Sequence, residues 1–288
     1  LIVGSPASFT FFFYLLGNNV DTYSVDTLYS YYNNKNINIF FKKIILFLTK
    51  LIDKYVCYAS KSNYFLNSFS SRNFQDISQN THKFKSLPIG MNINRIKEIS
   101  SSFSCNRSAV KVIGIYSNFY YYEHQYFINK FINLINKNHI ETINQNYIFN
   151  ISGIYSEEIL KKELLNKTYF SKLFKSNGAF NSLVSWLLDV DSLIIPFFTT
   201  CGIKIKLLEA LASCKPVMVN QSIIEHLPEG FDELFPSLFI YKELSINSLN
   251  KFLNFSNSYY SSEKYLENKS NLNQLNWENM INFENKKR

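Results

Sequence analysis

Three residues stand at a spacing that could do chemistry: Lys204, Lys206 and Glu209, inside "TTCGIKIKLLEALASCKPVMV", Thr199 to Val219. Apolar residues recur at Ile203, Leu207, Leu208, Ala210 and Leu211, and Leu, Lys, Glu and Ala favour helix, so the stretch predicts a helix from Ile203 to about Ser213. Both lysines then fall in the first turn, where exposed N–H groups and the macrodipole favour negative charge. A bound anion would reverse that mismatch, because it accepts N–H bonds and pairs with ammonium groups at once. Glu209 lies within the apolar string "LLEALA", where a carboxylate must find hydrogen-bond donors or suffer desolvation. Two plainer readings compete. Lys206 and Glu209 could form an i, i+3 pair on an exposed face, and the lysines could simply be solvated, since a first-turn cation costs only a fraction of about 1 kcal/mol.

The elements around this stretch alternate between strand and helix patterns. "KVIGIYS" (Lys111 to Ser117) reads as a strand, and Tyr122 to Lys137 as a helix with Phe127, Phe131, Leu134 and Ile135 on one face. "YIFNISG" (Tyr147 to Gly153) is a strand, and Ser156 to Leu165 a helix capped by Ser156 with Glu157 and Glu158 in its first turn. A short strand at "LFKSNG", a helix at "SLVSWLL" and a strand at "SLIIPFF" lead into the lysine helix; the strands "KPVMVN" and "SLFIY" follow. Such alternation implies right-handed crossovers and a parallel, doubly wound sheet, with ligands beyond the carboxyl ends of the strands. The loop from Phe197 to Gly202 occupies that position. In the front part, "LIVGS" reads as a strand followed by a helix with Ser5 as N-cap and Pro6 at its first position. "NVDTYSVDT", a helix from about Ile37 to Tyr55, "VCYAS" as a strand and "SKSNYFLNSF" as a helix come next. Pro88 and Gly90 in "KSLPIGMNINRI" mark a crossing to a second domain.

Composition narrows the functional classes. At 288 residues and 46% hydrophobic content the chain suits two ordinary domains. The formal charge of +8 is uneven: residues 1–95 hold 8 Lys and 2 Arg against 4 Asp, so the front part is the basic one. That suits an anionic membrane surface or a phosphorylated substrate. Nucleic acid is not expected as a partner, since the lysines are scattered and no nucleic-acid motif appears. Cys57, Cys105, Cys201 and Cys214 lack CxxC spacing and read as reduced thiols; His82, His124, His139 and His226 lack ligand spacing, so no metal centre is expected. "DVD" at Asp189 and Asp191 precedes the strand "SLIIPFF", at the end away from the ligand loops, and reads as a helix end and strand start rather than a metal pair. No apolar run has membrane-span length.

The segment Gly202-Ile203-Lys204-x-Lys206-x-x-Glu209-Ala210-x-Ala212-x-x-Lys215-Pro216-Val217, preceded by "DVDSLIIPFF", resembles the donor-site signature of group 1 (family four) glycosyltransferases of the GT-B fold. "CYASKSNYF" is similar to the last strand and helix of that fold's amino-terminal domain, "LPIGMNINRI" to its interdomain crossing, "GAFNSL" to its base-proximal loop and "NWENMINF" to its closing helix. The resemblance implies an α/β protein of two Rossmann-like domains, the first truncated at its start: residues 1–92 on the acceptor side, 93–265 binding the nucleotide sugar, and 266–288 closing. It implies transfer of a sugar from a nucleotide diphosphate donor to a glycan or lipid-linked acceptor, with retention and without metal or cofactor, in cell-surface polysaccharide or glycolipid synthesis. By the same resemblance Glu209 binds ribose hydroxyls, Cys201, Gly202, Ile203 and Lys204 hold the diphosphate, Ser117 and Asn118 lie near the phosphates, and backbone at Ala179 and Phe180 meets the base. Lys204 and Lys206 would neutralise the leaving diphosphate, and Asp26 of "VDTLYS" is the one acceptor-side residue named.

Departures from the pattern keep other readings open. Cys201 stands where many members carry a second Glu, and Cys214 where the helix usually ends in Gly; a non-Gly residue in a left-handed cap costs roughly 1 kcal/mol. A chain that begins at Leu1 is expected to be a fragment, inactive by itself. A sugar-nucleotide epimerase of the same build and a degenerate nucleotide-sugar-binding protein are the alternatives. "INIFFKKIILFLTKLIDKYV" carries Lys42, Lys43, Thr49, Lys50, Asp53 and Lys54 as a narrow polar stripe on an apolar helix. It reads as a core helix with one wet edge or as a membrane-interface helix, the latter giving a cytoplasmic protein at the inner face of the cell membrane.

Overall fold

Every strand in the described part of the chain pairs in parallel, as the βαβ reading requires. The computed structural model describes residues 2–3, 20–24, 38–65, 84–86, 90–101, 110–135, 143, 146–165, 170, 172–198, 205–261 and 263–286. A front sheet is formed by β1 (Ile2–Val3), β2 (Val20–Ser24), β3 (Ser60–Phe65) and β4 (Phe84–Ser86), in that spatial order. A second sheet holds β5 (Lys111–Tyr116), β6 (Tyr147–Ser152), β7 (Phe174–Lys175), β8 (Ser192–Ile194), β9 (Val217–Asn220) and β10 (Leu238–Tyr241). Its order is β10-β9-β8-β5-β6-β7. The chain thus builds outward from β5 through β6 to β7, then returns to the other side of β5 with β8. That reversal is a topological switch point, the place where doubly wound sheets bind ligands beyond their strand ends.

The second sheet is covered on both faces, and its strands are accordingly buried. Alternate residues divide between two cores: Leu193, Val217 and Val219 pack with Trp186, Leu207, Leu208 and Leu211, while Ile113, Ile115, Ile194 and Met218 pack with Phe127, Phe131, Phe149 and Phe252. Burying each such side chain is worth about 1.5–3 kcal/mol. At the foot of the sheet the buried Asp191 carboxylate accepts the Val112 N–H at 2.7 Å, and Tyr260 donates its hydroxyl to the Asp191 carbonyl. "DVD" therefore ties β8 to β5 at the end away from the ligand loops.

Several predicted elements shift. In the front part the helix runs through "VCYA" as Ile39–Ala59, four residues past its expected end at Tyr55, and "SKSNYF" (Ser60–Phe65) is a strand where the start of a helix is expected. Cys57, Tyr58 and Ala59 offer no breaker to stop the helix before Ser60. Ser156 does not cap its helix. Tyr155 holds the N-cap position, in the left-handed region at φ 67° and with no side-chain capping bond, while Ser156 is buried inside the first turn and its hydroxyl accepts from Ser176 at 2.9 Å. The helix Ile39–Ala59 is not a core helix with one wet edge: Thr49 and Asp53 of its polar stripe are buried, whereas Ile39, Phe40, Phe41, Ile44, Phe47, Leu48, Leu51 and Ile52 are exposed. The predicted helix after β1, with Ser5 and Pro6, lies outside the described residues.

The crossing strand end and the closing segment meet. Met91 donates its N–H to the Leu275 carbonyl at 2.7 Å and bridges to Asn276. Only glycine fits at Gly90, because a Cβ there would stand 2.4 Å from the Trp277 nitrogen. Asn92 then caps the helix Ile93–Ser100 through the Asn94 N–H, which sets that helix beside Ile205–Ala212.

Past the helix Ile205–Ala212, Cys214 turns the chain in the left-handed region at φ 55°, as its place at the usual Gly position implies, and its thiol is buried. The following Lys215 is wholly buried and donates to the Val190 carbonyl at 2.7 Å. Cys214→Gly should leave stability within about 1 kcal/mol of the parent, relief of left-handed strain offsetting the lost thiol packing. Cys214→Val, with a β-branched side chain at positive φ, should lose about 2 kcal/mol. Urea midpoints for the two variants measure both, and a Val variant as stable as the parent would contradict the strain argument.

Candidate functional site

Three strand-to-helix loops meet above the carboxyl ends of β5, β6 and β7. Ser117 donates its N–H to the Ser152 carbonyl at 3.1 Å, Phe119 to Ile154 at 2.9 Å, and Gly153 to Gly178 at 2.8 Å. Gly153 sits at φ 126°, and a Cβ on it would stand 1.9 Å from the Ser117 carbonyl oxygen. The loops are thus zipped by backbone, and the Ser117 turn has a fixed floor. Across the switch point, β8 runs on through Ile195 to Phe197, and the helix Ile205–Ala212 returns with Lys206 and Glu209 on it.

Lys206 and Glu209 do not pair with each other in an exposed i, i+3 bridge; they face different partners. Lys206 reaches back over the Phe197 ring, 5.5 Å from its centroid, and donates to Ser117 Oγ at 3.0 Å. His124 Nδ1 lies 2.8 Å from that same Oγ and 2.6 Å from the Asn118 carbonyl. A carbonyl can only accept, so Nδ1 carries the hydrogen, and the Ser117 hydroxyl accepts rather than donates in this cluster. Its own hydrogen remains to be given to another acceptor. The group is largely dry: Ser117 and His124 are buried, and the His124 ring packs 4.7 Å from Phe197. An ammonium and a serine O–H converge on one place beside the helix Ile205–Ala212, and both are donors an oxyanion can use.

Glu209 is held by two other groups. Its Oε1 accepts from Arg95 Nη2 at 3.4 Å and its Oε2 from the Tyr116 hydroxyl at 3.1 Å. The carboxylate thereby meets the requirement for donors that its apolar surroundings impose. Burial, reinforced by the Glu209 charge, holds the Tyr116 phenol well above the usual tyrosine range, so it stays protonated and able to donate. The Tyr116 ring in turn packs on Trp186 at 5.2 Å and edge-on to Phe180 at 6.0 Å, while Phe180 stacks on Trp186 at 5.5 Å. Phe180 is half-buried and Ala179 exposed beside it, so an aromatic surface borders the carboxylate.

Of the residues singled out from sequence, the structure brings Lys206, Ser117, Asn118, Glu209 and Phe180 to one end of the sheet. Cys201, Gly202, Ile203, Lys204 and Asp26 lie outside the described residues. Three members of the site were missed: Tyr116, His124 and Arg95. His124 had no ligand spacing and Tyr116 was read only as the end of a strand. Arg95 sits 114 positions before Glu209, a separation over which no local pattern acts.

Comparison with known proteins identifies the fold. No protein-family model matches the chain, and no curated protein matches it in sequence. Among solved structures it is similar to HepE from Anabaena in complex with UDP, with TM-score 0.66 and 10% identity, covering 97% of this chain and 74% of that one. It is similar to WaaG, a glycosyltransferase involved in lipopolysaccharide biosynthesis, with TM-score 0.65 and 12% identity, covering 93% and 73%. A glycosyltransferase from Rickettsia africae matches with TM-score 0.62 and 11% identity over 96% and 78%. The chain has the GT-B fold of glycosyltransferases.

Because Gly153 floors the Ser117 turn, Gly153→Ala must push the turn away or unfold it. The variant should lose about 2 kcal/mol or more in urea denaturation, and parent-like stability would show that the three loops are not locked together as described.

Proposed function

We propose that this chain is a glycosyltransferase that takes its sugar from a nucleotide diphosphate donor held at the switch point of the second sheet. The observation that carries the reading is the convergence of Lys206 and Ser117 on one side, and Glu209 with its aromatic border on the other, above the ends of β5 and β8. In this reading the diphosphate lies at the start of the lysine helix, accepting from the Ser117 hydroxyl and neutralised by Lys206 and Lys204. Cys201, Gly202 and Ile203 line it with backbone N–H groups, and Asn118 stands beside it. Glu209 takes the ribose hydroxyls, and the base rests by Ala179 and Phe180. As the bond between anomeric carbon and phosphate oxygen lengthens, negative charge grows on the leaving diphosphate. Fixed cations and dipoles in a dry site lower that barrier without reorganising. The chain's own ammonium groups supply this charge, which fits a metal-independent transfer; retention is what the resemblance to the family implies. The acceptor is a glycan or a lipid-linked glycan, approached from the Asp26 side.

Titrating the protein calorimetrically with UDP, GDP, ADP and CMP tests the reading. At least one nucleotide should bind, and Glu209→Ala should weaken it about tenfold, the loss of one or two hydrogen bonds to a charged group. No binding by any of the four would remove the proposal.

A second reading concerns where the acceptor lies. Exposed large apolar residues line the helix Ile39–Ala59, Ile39 being 77% exposed and Phe40 68%, beside Lys42, Lys43, Lys50 and Lys54. No helix among the described residues is long and apolar enough to cross a membrane. A helix that offers apolar side chains beside ammonium groups suits the headgroup boundary of an anionic bilayer, and a protein held there would work peripherally at the inner face of the cell membrane. The protein should sediment with phosphatidylglycerol vesicles at low salt and not with phosphatidylcholine vesicles, and Phe47→Asp should weaken that binding. Full recovery in the supernatant with both lipids would sink this reading.

A further inference from the structure

Glu209 is held by two donors from distant parts of the chain. Arg95 belongs to the helix that follows the crossing, and its guanidinium is shared: Nη1 pairs with Glu98 Oε2 at 2.9 Å and Nη2 reaches Glu209 Oε1 at 3.4 Å. Tyr116 is the last residue of β5. Its hydroxyl lies 3.1 Å from Glu209 Oε2 and 3.2 Å from the Lys206 carbonyl, and with one hydrogen to give it favours the charged acceptor. An ionised carboxylate has about four lone-pair sites. Two are occupied here, one on each oxygen, which leaves one on each oxygen for a pair of adjacent hydroxyls. A free glutamate side chain on a helix surface samples several rotamers, and ordering it costs conformational entropy. The two donors have already ordered this one, in a site where its side chain is only 17% exposed.

We propose that Arg95 and Tyr116 are positioning residues that aim the Glu209 carboxylate at the vicinal hydroxyls of a donor ribose. The proposal rests on the nucleotide-diphosphate reading of the site. It assigns ribose recognition to three segments, the crossing helix, β5 and the lysine helix, rather than to Glu209 alone. Tyr116 acts only as a donor: burial and the neighbouring carboxylate keep its phenol protonated across the neutral range. The plainer account of the same contacts is structural, a bridge that ties the helix Ile93–Ser100 to the helix Ile205–Ala212. A structural bridge would affect every ligand of the site alike. A positioning pair affects only ligands that own the hydroxyls.

The test therefore compares a nucleotide with its hydroxyl-free analogue. Whichever of UDP, GDP or ADP binds the whole chain is titrated beside its 2′,3′-dideoxy form against the parent, Glu209→Gln, Tyr116→Phe, Arg95→Gln and Glu98→Gln. In the parent the dideoxy form should bind about tenfold more weakly, and Glu209→Gln should abolish the difference. Tyr116→Phe and Arg95→Gln should each weaken the ribonucleotide about three- to tenfold and leave the dideoxy form unchanged. Glu98→Gln should change neither. Tyr116→Phe removes one oxygen and keeps the ring packing, so it remains a fair test if Arg95→Gln fails to fold, which a thermal melt reveals. If Glu209→Gln abolishes the discrimination while Tyr116→Phe keeps it, or if both nucleotides weaken together, the positioning role is overturned and the site reading stands. If the parent binds no nucleotide diphosphate, or Glu209→Gln leaves the discrimination intact, the site reading itself falls.

Discussion

The pairing of β8 with β5 is the constraint on which the rest depends. Ile113 lies against Ser192 and Gly114 against Leu193, so two strands far apart in sequence end side by side. Gly114 has no room for a side chain, since a Cβ would stand 2.5 Å from the Trp186 ring, and Asp191 fastens the lower end by taking the Val112 N–H. With β5 and β8 in register, the loop after one and the helix after the other must face each other. Two of the site's side-chain contacts cross that seam: Lys206 to Ser117, and Glu209 to Tyr116.

Two kinds of partner share the work at the seam. Backbone bonds among Ser117, Ser152, Phe119, Ile154, Gly153 and Gly178 fix the loops without using side chains. The side chains are thereby left to one another and to a ligand. Aromatic rings on either side, Phe197 under Lys206 and the Tyr116, Phe180 and Trp186 group beside Glu209, shield both partly buried charges from part of the solvent. In such surroundings a charged hydrogen bond counts for more than in water, and an unpaired charge is costly. Both charged side chains are accordingly hydrogen-bonded, Lys206 to Ser117 and Glu209 to Arg95 and Tyr116.

The front sheet carries a different logic. Its helix Ile39–Ala59 buries Thr49 and Asp53 but leaves Lys43, Lys50 and Lys54 exposed together with apolar side chains such as Phe40, Phe47 and Leu51, unlike the apolar inward face that a globular core imposes. A periodic pattern specifies two faces of a helix; it does not say which one is turned inward. The strand boundary at Ser60 shifted for a related reason, because β3 is chosen by its parallel pairing to β2 and β4 and not by its own residues.

The sequence by itself determined the alternation of strands and helices after Lys111, the helix that bears Lys206 and Glu209, and the unfavourable cap at Cys214. Each of these follows from local rules: apolar period, helix propensity and the steric demand of a left-handed turn. It also marked Lys206, Ser117, Asn118, Glu209 and Phe180, by their types and by resemblance. Tertiary structure alone decided that Lys206 turns to Ser117 and Glu209 to Arg95 and Tyr116, that His124 supports the serine, and that Ser156 is buried inside its helix. Those are contacts between residues up to 114 positions apart, fixed by strand order and packing. A linear pattern records which face of an element is apolar, but which elements become neighbours is settled only when the sheet closes around its switch point.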